Sequence, residues 1–187
     1  MSSYYFVVAS LPMLQYDRPA GITRAYFLDL CRAHLTPHDF ILLERALIFD
    51  FTERESCPAA YGRYRTWETA LRNELVLLRA AKTGKEAARY LKEGEGVSGM
   101  RAFARRIFDE ASPLQAEELT DRARWQYLED LEIGHFFDLS KLVVYYLKLQ
   151  LLERKAFFKE QEGRETFSAL EQRVFEELKA GVEAYGT

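Results

Sequence analysis

Three groups of residues have the types and spacing that chemistry would need. Cys31-x-x-His34-x-x-x-His38 offers a thiolate and two imidazoles, ligands that zinc prefers, and Cys57 could supply a fourth. Thr36-Pro37, however, starts a new helix between the histidines, so helical spacing does not carry across. The expectation is a buried cysteine with two surface histidines at a helix junction, and no metal. Glu132-x-x-His135 is the helical pair used by di-iron carboxylate bundles, which need a second such pair and two further inward carboxylates. The chain has no second Glu-x-x-His, and Gly134 ends the helix inside the motif. A helix-terminal His135 beside Asp138 is expected instead.

Gly94-x-Gly96-x-x-Gly99 matches the dinucleotide fingerprint in letters. That fingerprint works where a buried strand delivers a glycine turn to a helix N-terminus, whose amides hold the pyrophosphate. Here the preceding residues, Glu86 to Lys92, are charged and helical in pattern, so a loop between helices is expected. Gly84-Lys85 is not a phosphate loop, because Arg79 stands where its first glycine belongs and Glu86 replaces Ser/Thr. There is no Gly-x-Ser-x-Gly elbow, and three scattered histidines assign no nucleophile–base pair. Glu117/Glu118 and Glu176/Glu177 read as solvated helix faces. A protein that is not an enzyme and holds no cofactor is expected.

The elements that would position these residues are helices. The longest spans Leu139 to Gln161, with Asp138 as N-cap and Gly163 as stop, and is apolar over most of its circumference. Lys141, Lys148 and Lys155 recur every seven residues and leave one narrow solvated stripe, with Leu149 on the core side. Ahead of it come a buried stretch Tyr4–Ala9, extended or one or two helical turns, and a helix Ile22–Ala33 with Tyr26, Phe27 and Leu30 inward. Another helix starts at Thr36-Pro37 and carries Phe40, Leu43 and Leu47. Asp50–Arg65 is the least regular part. Thr66 then caps a helix with Trp67, Leu71, Leu75 and Leu78 inward. Shorter helices over Thr83–Lys92 and Ser98–Glu110 precede one from Ser112-Pro113 to about Ile133, with Leu119, Ala123, Tyr127 and Leu131 at four-residue intervals. A final amphipathic helix after Gly163 presents Phe167, Leu170, Val174, Leu178 and Val182 on one face. The fold class is all-α: a single-domain bundle over 1–187, with seven or eight helices around the central helix 139–161.

With 48% hydrophobic residues, the 187-residue chain suits one domain with a substantial core. Its net charge of −3 is interspersed, and Arg63/Arg65 and Arg101/Arg105/Arg106 do not form the basic stripe of a nucleic-acid binder. Two cysteines are too few for a disulfide framework, which points to a reducing compartment. The apolar run ending at Pro12 lacks a cleavage signal, and no apolar run is long enough to span a bilayer. A cytoplasmic protein without direct membrane insertion is expected. Its 14% aromatic content is core by default, but Tyr, Phe and Trp are also enriched at protein contacts.

Asn73-Glu-Leu75-Val-Leu-Leu78-Arg79 is similar to the Asn-Leu…Leu-Arg helix end in the modules of the C-type subunit of V-type and A-type ATPases (d-type in eukaryotes). Phe137-Asp138-Leu139 through Tyr146-Leu-Lys148 and Leu151-Leu152-Glu153-Arg154 resembles the corresponding later module, with Glu153 departing from the usual pattern. The N-terminal Tyr4-Tyr5-Phe6-Val7-Val8-Ala9-Ser10-Leu11-Pro12 resembles more closely a short, uncharacterised bacterial family that accompanies the V-type ATPase. The C-type protein is longer, with three related modules, so the chain would represent part of it. The resemblance implies a non-catalytic structural component or assembly factor of a rotary proton or sodium ATPase. Its partners would be the central stalk or the proteolipid ring, reached at the inner face of the membrane through the complex. Asp50–Arg65, with Phe51, Tyr61 and Tyr64 among charges, is the expected partner-binding patch. The alternative is a metal- or small-molecule-binding helical protein using the Cys31/His34/His38 region or an internal pocket.

Overall fold

A computed structural model describes residues 4–50 and 57–158. Phe51, the end of the central helix beyond 158, Gly163 and the helix expected after it lie outside the described residues. Contacts divide the chain into two compact units, Met1–Leu151 and Leu152–Thr187. The described residues are all-α, with seven α-helices, one 3₁₀ turn and no strand.

In the first unit, α1 is Tyr4–Ser10, two turns of which only Val7 is buried. Tyr5 and Phe6 are exposed, which corrects the expectation of a buried segment. Helix α2, Arg24–His34, starts at Thr23, whose hydroxyl oxygen accepts from the Tyr26 amide. Phe27 is buried as expected, whereas Tyr26 is 54% exposed. Helix α3, Pro37–Glu44, has the expected start: Thr36 caps the Asp39 amide and proline opens the first turn. Tyr4 donates to Asp39 Oδ2 at 2.8 Å and so ties α1 to α3.

Helix α4 runs from Ala59 to Thr83, so the stretch read as irregular is helical from residue 59 onward. Thr66 caps nothing; its hydroxyl donates back to the Gly62 carbonyl at 3.2 Å, as a helix-interior threonine does. Tyr61, Tyr64, Glu68 and Leu71 fall on one inward stripe at helical spacing. Gly84, at φ +67°, ends the helix with its amide on the Ala80 carbonyl. The amphipathic helix expected over Thr83–Lys92 is reduced to a 3₁₀ turn, Ala87–Arg89. Asn73 of α4 holds the following backbone instead, accepting from the Lys92 amide and donating to the Lys92 carbonyl.

Helices α5, Met100–Phe108, and α6, Pro113–Glu132, complete a three-helix core with α4. Trp67, Leu71, Met100, Ala104 and Ile107 form its centre, with Leu119, Ala123 and Tyr127 packed against them. Trp67 and Tyr127 stack with centroids 4.9 Å apart. Helix α7 covers residues 139–158. Asp138 caps it as expected, accepting from the Lys141 amide at 2.8 Å. Leu142, Val143, Val144, Leu147 and Leu149 are fully buried, which fits the central role read for this helix. Tyr145 and Tyr146 both stack on Phe27 of α2. The lysine stripe is not uniformly solvated: Lys148 is only 7% exposed. In the second unit, Arg154 lies over the Phe158 ring.

Candidate functional site

Tyr61 and Tyr64, expected on a partner-binding patch, are 1% and 0% exposed. The turn after α3 leaves carbonyls without helical partners, and buried carbonyls must be satisfied. Tyr61 donates to the Leu47 and Asp50 carbonyls, and Tyr64 to the Ile48 carbonyl. Gln150 of α7 completes this clasp, accepting from the Ile48 amide and donating to the Ala46 carbonyl. Both tyrosines are therefore committed to holding the turn, and burial raises the Tyr64 phenol well above its ordinary value.

The motifs resolve in the same local terms. Cys31 is fully buried, and burial pushes its thiol up to about 12, away from the thiolate a metal or electrophile would need. His34 packs against the Phe6 ring at 4.5 Å, and His38 is exposed on α3. Among the described residues, no group of three or more His, Cys, Asp or Glu is arranged to hold a metal. His135 Nδ1 lies 2.6 Å from Asp138 Oδ2, after Gly134 has turned the chain at φ +84°. The three-glycine stretch is preceded by the 3₁₀ turn and ends at Gly99, N-cap of α5 at φ +77°. A Cβ at Gly94 would come within 3.0 Å of Thr69 Cγ2, so that glycine lets the loop approach α4.

Two charged clusters escaped the sequence reading. In the interior, Glu68 is fully buried between α4 and α6. Arg124 grips it with Nε on Oε2 at 2.9 Å and Nη2 on Oε1 at 2.8 Å, while its Nη1 donates to Asp121 at 2.7 Å. Arg72 adds a bond from Nε to Glu68 Oε1 at 3.0 Å. Burial alone would lower the Arg124 pKa, but Glu68, reinforced by Tyr64 and Asp121, raises it above the ordinary value.

The second cluster joins the end of α6 to α7. Glu132 accepts from Lys141 through Oε1 and from Lys148 through Oε2. Burial tends to raise its carboxyl, yet the two ammonium groups prevail and hold it below the usual range. Lys148 also lies over the Trp125 ring at 5.1 Å, and Trp125 Nε1 donates to Glu129. Glu129, Glu132, Lys141 and Lys148 line a cleft of about 470 Å³ together with Val8, Leu11 and Pro12. Tyr145, also in the lining, donates to the Pro12 carbonyl at 3.0 Å.

Tyr5 and Phe137 form an exposed aromatic pair. Their rings are 4.9 Å apart and remain 67% and 51% exposed. Phe6, Ile133 and Phe136 are also exposed on the same two stretches of chain. No described helix is long and apolar enough to cross a membrane.

Residues 84–181, just over half of the chain, match the family described as "Protein of unknown function (DUF2764)". The chain belongs to the DUF2764 family. No curated protein and no solved structure matches it. The DUF2764 segment takes in α5, α6 and the described part of α7, and with them the Glu132 cluster and Phe137; α1 to α4 precede it.

Proposed function

We propose that this protein works by binding components of a V-type ATPase, as a structural subunit or assembly factor, without turning over a substrate. The reading rests on the resemblance of Tyr4–Pro12 and of Phe137–Lys148 to proteins of that machine. The observation that carries it is the contact between Tyr5 and Phe137, which brings those two stretches together under one exposed aromatic patch. Large aromatics left in water cost free energy that a partner surface recovers, and such residues dominate binding energy where they are covered. The contact surface is accordingly moved from Asp50–Arg65 to Tyr5, Phe6, Phe136 and Phe137. Association with the central stalk or proteolipid ring would place the protein at the membrane periphery.

The test is fractionation of cells with and without the ATPase genes, with crosslinking to identify neighbours. The protein should sediment with membranes only when the ATPase is present, and Tyr5→Ser/Phe137→Ser should release it while leaving its circular dichroism unchanged. Identical distribution in both strains, with no crosslink to an ATPase component, would refute the reading.

A further inference from the structure

A second cleft, of about 590 Å³, is lined by residues of α4, α5 and α6 and of the connector between α4 and α5. Its floor is preorganised, because Arg124 is locked by Glu68 and Asp121 and so cannot swing out. Arg79 of α4 and Lys92 of the connector line it with the carboxylate Glu117, while Arg72 and Arg124, also in the lining, are paired with Glu68 and Asp121. The Lys92 backbone is fixed by the two bonds to Asn73, which sets where that lysine and the nearby Tyr90 stand. Tyr90, also in the lining, is 58% exposed, and Ile107 and Phe108 supply an apolar wall.

The wider charge distribution has the same sense. Residues 72–106 carry nine Lys and Arg against four Glu, in a chain whose net charge is −3. A concave site with convergent cations focuses potential and favours an anion, and guanidinium forks suit the oxygens of phosphate. Its volume falls within the ~300–1,000 Å³ of small-molecule pockets and leaves room for far more than one inorganic phosphate. The remaining lining is aromatic and apolar. We infer that this cleft binds a small organic phosphate, its phosphoryl group held by Arg79 and Lys92 and its planar body against Tyr90. The site does not use the glycine stretch that follows Lys92, and it does not depend on the ATPase reading.

Isothermal titration of the full chain at fixed ionic strength tests this, with AMP, inorganic phosphate and adenosine as probes. AMP should bind more tightly than phosphate, and adenosine should give no heat at millimolar concentration. Arg79→Gln and Lys92→Gln should each weaken AMP by about tenfold, the scale of one charge-assisted hydrogen bond. Tyr90→Ala should weaken AMP but not phosphate. Arg101→Gln, in an adjoining groove between α4 and α5 that shares Phe108 but none of the phosphoryl-holding residues, should change AMP affinity less than about twofold, as an exposed charge outside the site does. Absence of heat with AMP, equal affinity for AMP and phosphate, or an Arg101→Gln loss as large as that of Arg79→Gln would overturn the inference. Melting curves matching wild type would show that the variants are folded.

Discussion

Glu68 and Glu132 are each a carboxylate shared by two cations, and they solve the same electrostatic problem in opposite settings. Glu68 is sealed between α4 and α6, and its cations are arginines; Glu132 stands at a cleft edge, and its cations are lysines. The choice follows from geometry. In the interior every lone pair needs a donor, and the planar fork of Arg124 fills both carboxylate oxygens in one fixed orientation. At the cleft, two flexible ammonium groups can approach one carboxylate from α7 positions two turns apart, and water can serve what remains. The interior cluster should therefore fix how α4 and α6 pack, whereas the cleft cluster should only trim how α6 passes into α7.

The largest expected effect tests the interior half of that contrast. Glu68→Ala leaves Arg124 buried, with Asp121 as its remaining carboxylate partner among the interactions described, and should cost about 3–5 kcal/mol in chemical denaturation. A loss below ~1 kcal/mol would mean that water reaches the cluster and that the two sites differ little.

That cluster also marks where the sequence stops being readable. Caps and stops are local chemistry, so Thr36-Pro37, Ser112-Pro113, Gly134 and Asp138 identify helix ends without any knowledge of packing. The apolar face of α7 is legible for the same reason. Glu68, Asp121 and Arg124 look like solvated charges, because only tertiary pairing makes their burial tolerable. The period of Leu119, Ala123 and Tyr127 finds one inward face of α6 and hides the second, charged one. Tyr61 and Tyr64 mislead for a related reason: they stand among arginines, yet their hydroxyls serve carbonyls of a turn more than ten residues away in sequence. The exposed aromatics Tyr5 and Phe137 could have been flagged only by knowing that α1 has a single buried residue.

Within the cleft cluster the two lysines should differ. Lys148 is nearly buried, over Trp125, whereas the Lys141 side chain is 25% exposed. Lys148→Ala removes a charged hydrogen bond, a cation–π contact and stem packing, and should cost about 1–3 kcal/mol. Lys141→Ala should cost less than ~1 kcal/mol, because water still reaches and screens this partly exposed pair. Equal losses, measured by urea denaturation, would show that burial does not separate them. A Lys148 loss approaching that of Glu68→Ala would erase the difference between the regions.

The smallest effect is in the acid range and belongs to Glu132. Its carboxyl is held below the ordinary value in the folded chain by Lys141 and Lys148, against the opposing pull of burial. A group depressed on folding stabilises the fold fully above its unfolded pKa, about 4.3 for glutamate, and loses that contribution as pH falls through the folded value. Wild type should therefore exceed Glu132→Gln in stability at about pH 6–7, and the gap should narrow only below about pH 4. The residual solvent exposure of Glu132 keeps the gap modest, because water screens the pair. Urea midpoints for both proteins from neutral pH down to about pH 3 follow it directly. A gap that stays constant across that range would mean that the lysines contribute shape and packing at the cleft rather than charge, and the electrostatic likeness between Glu68 and Glu132 would fall with it.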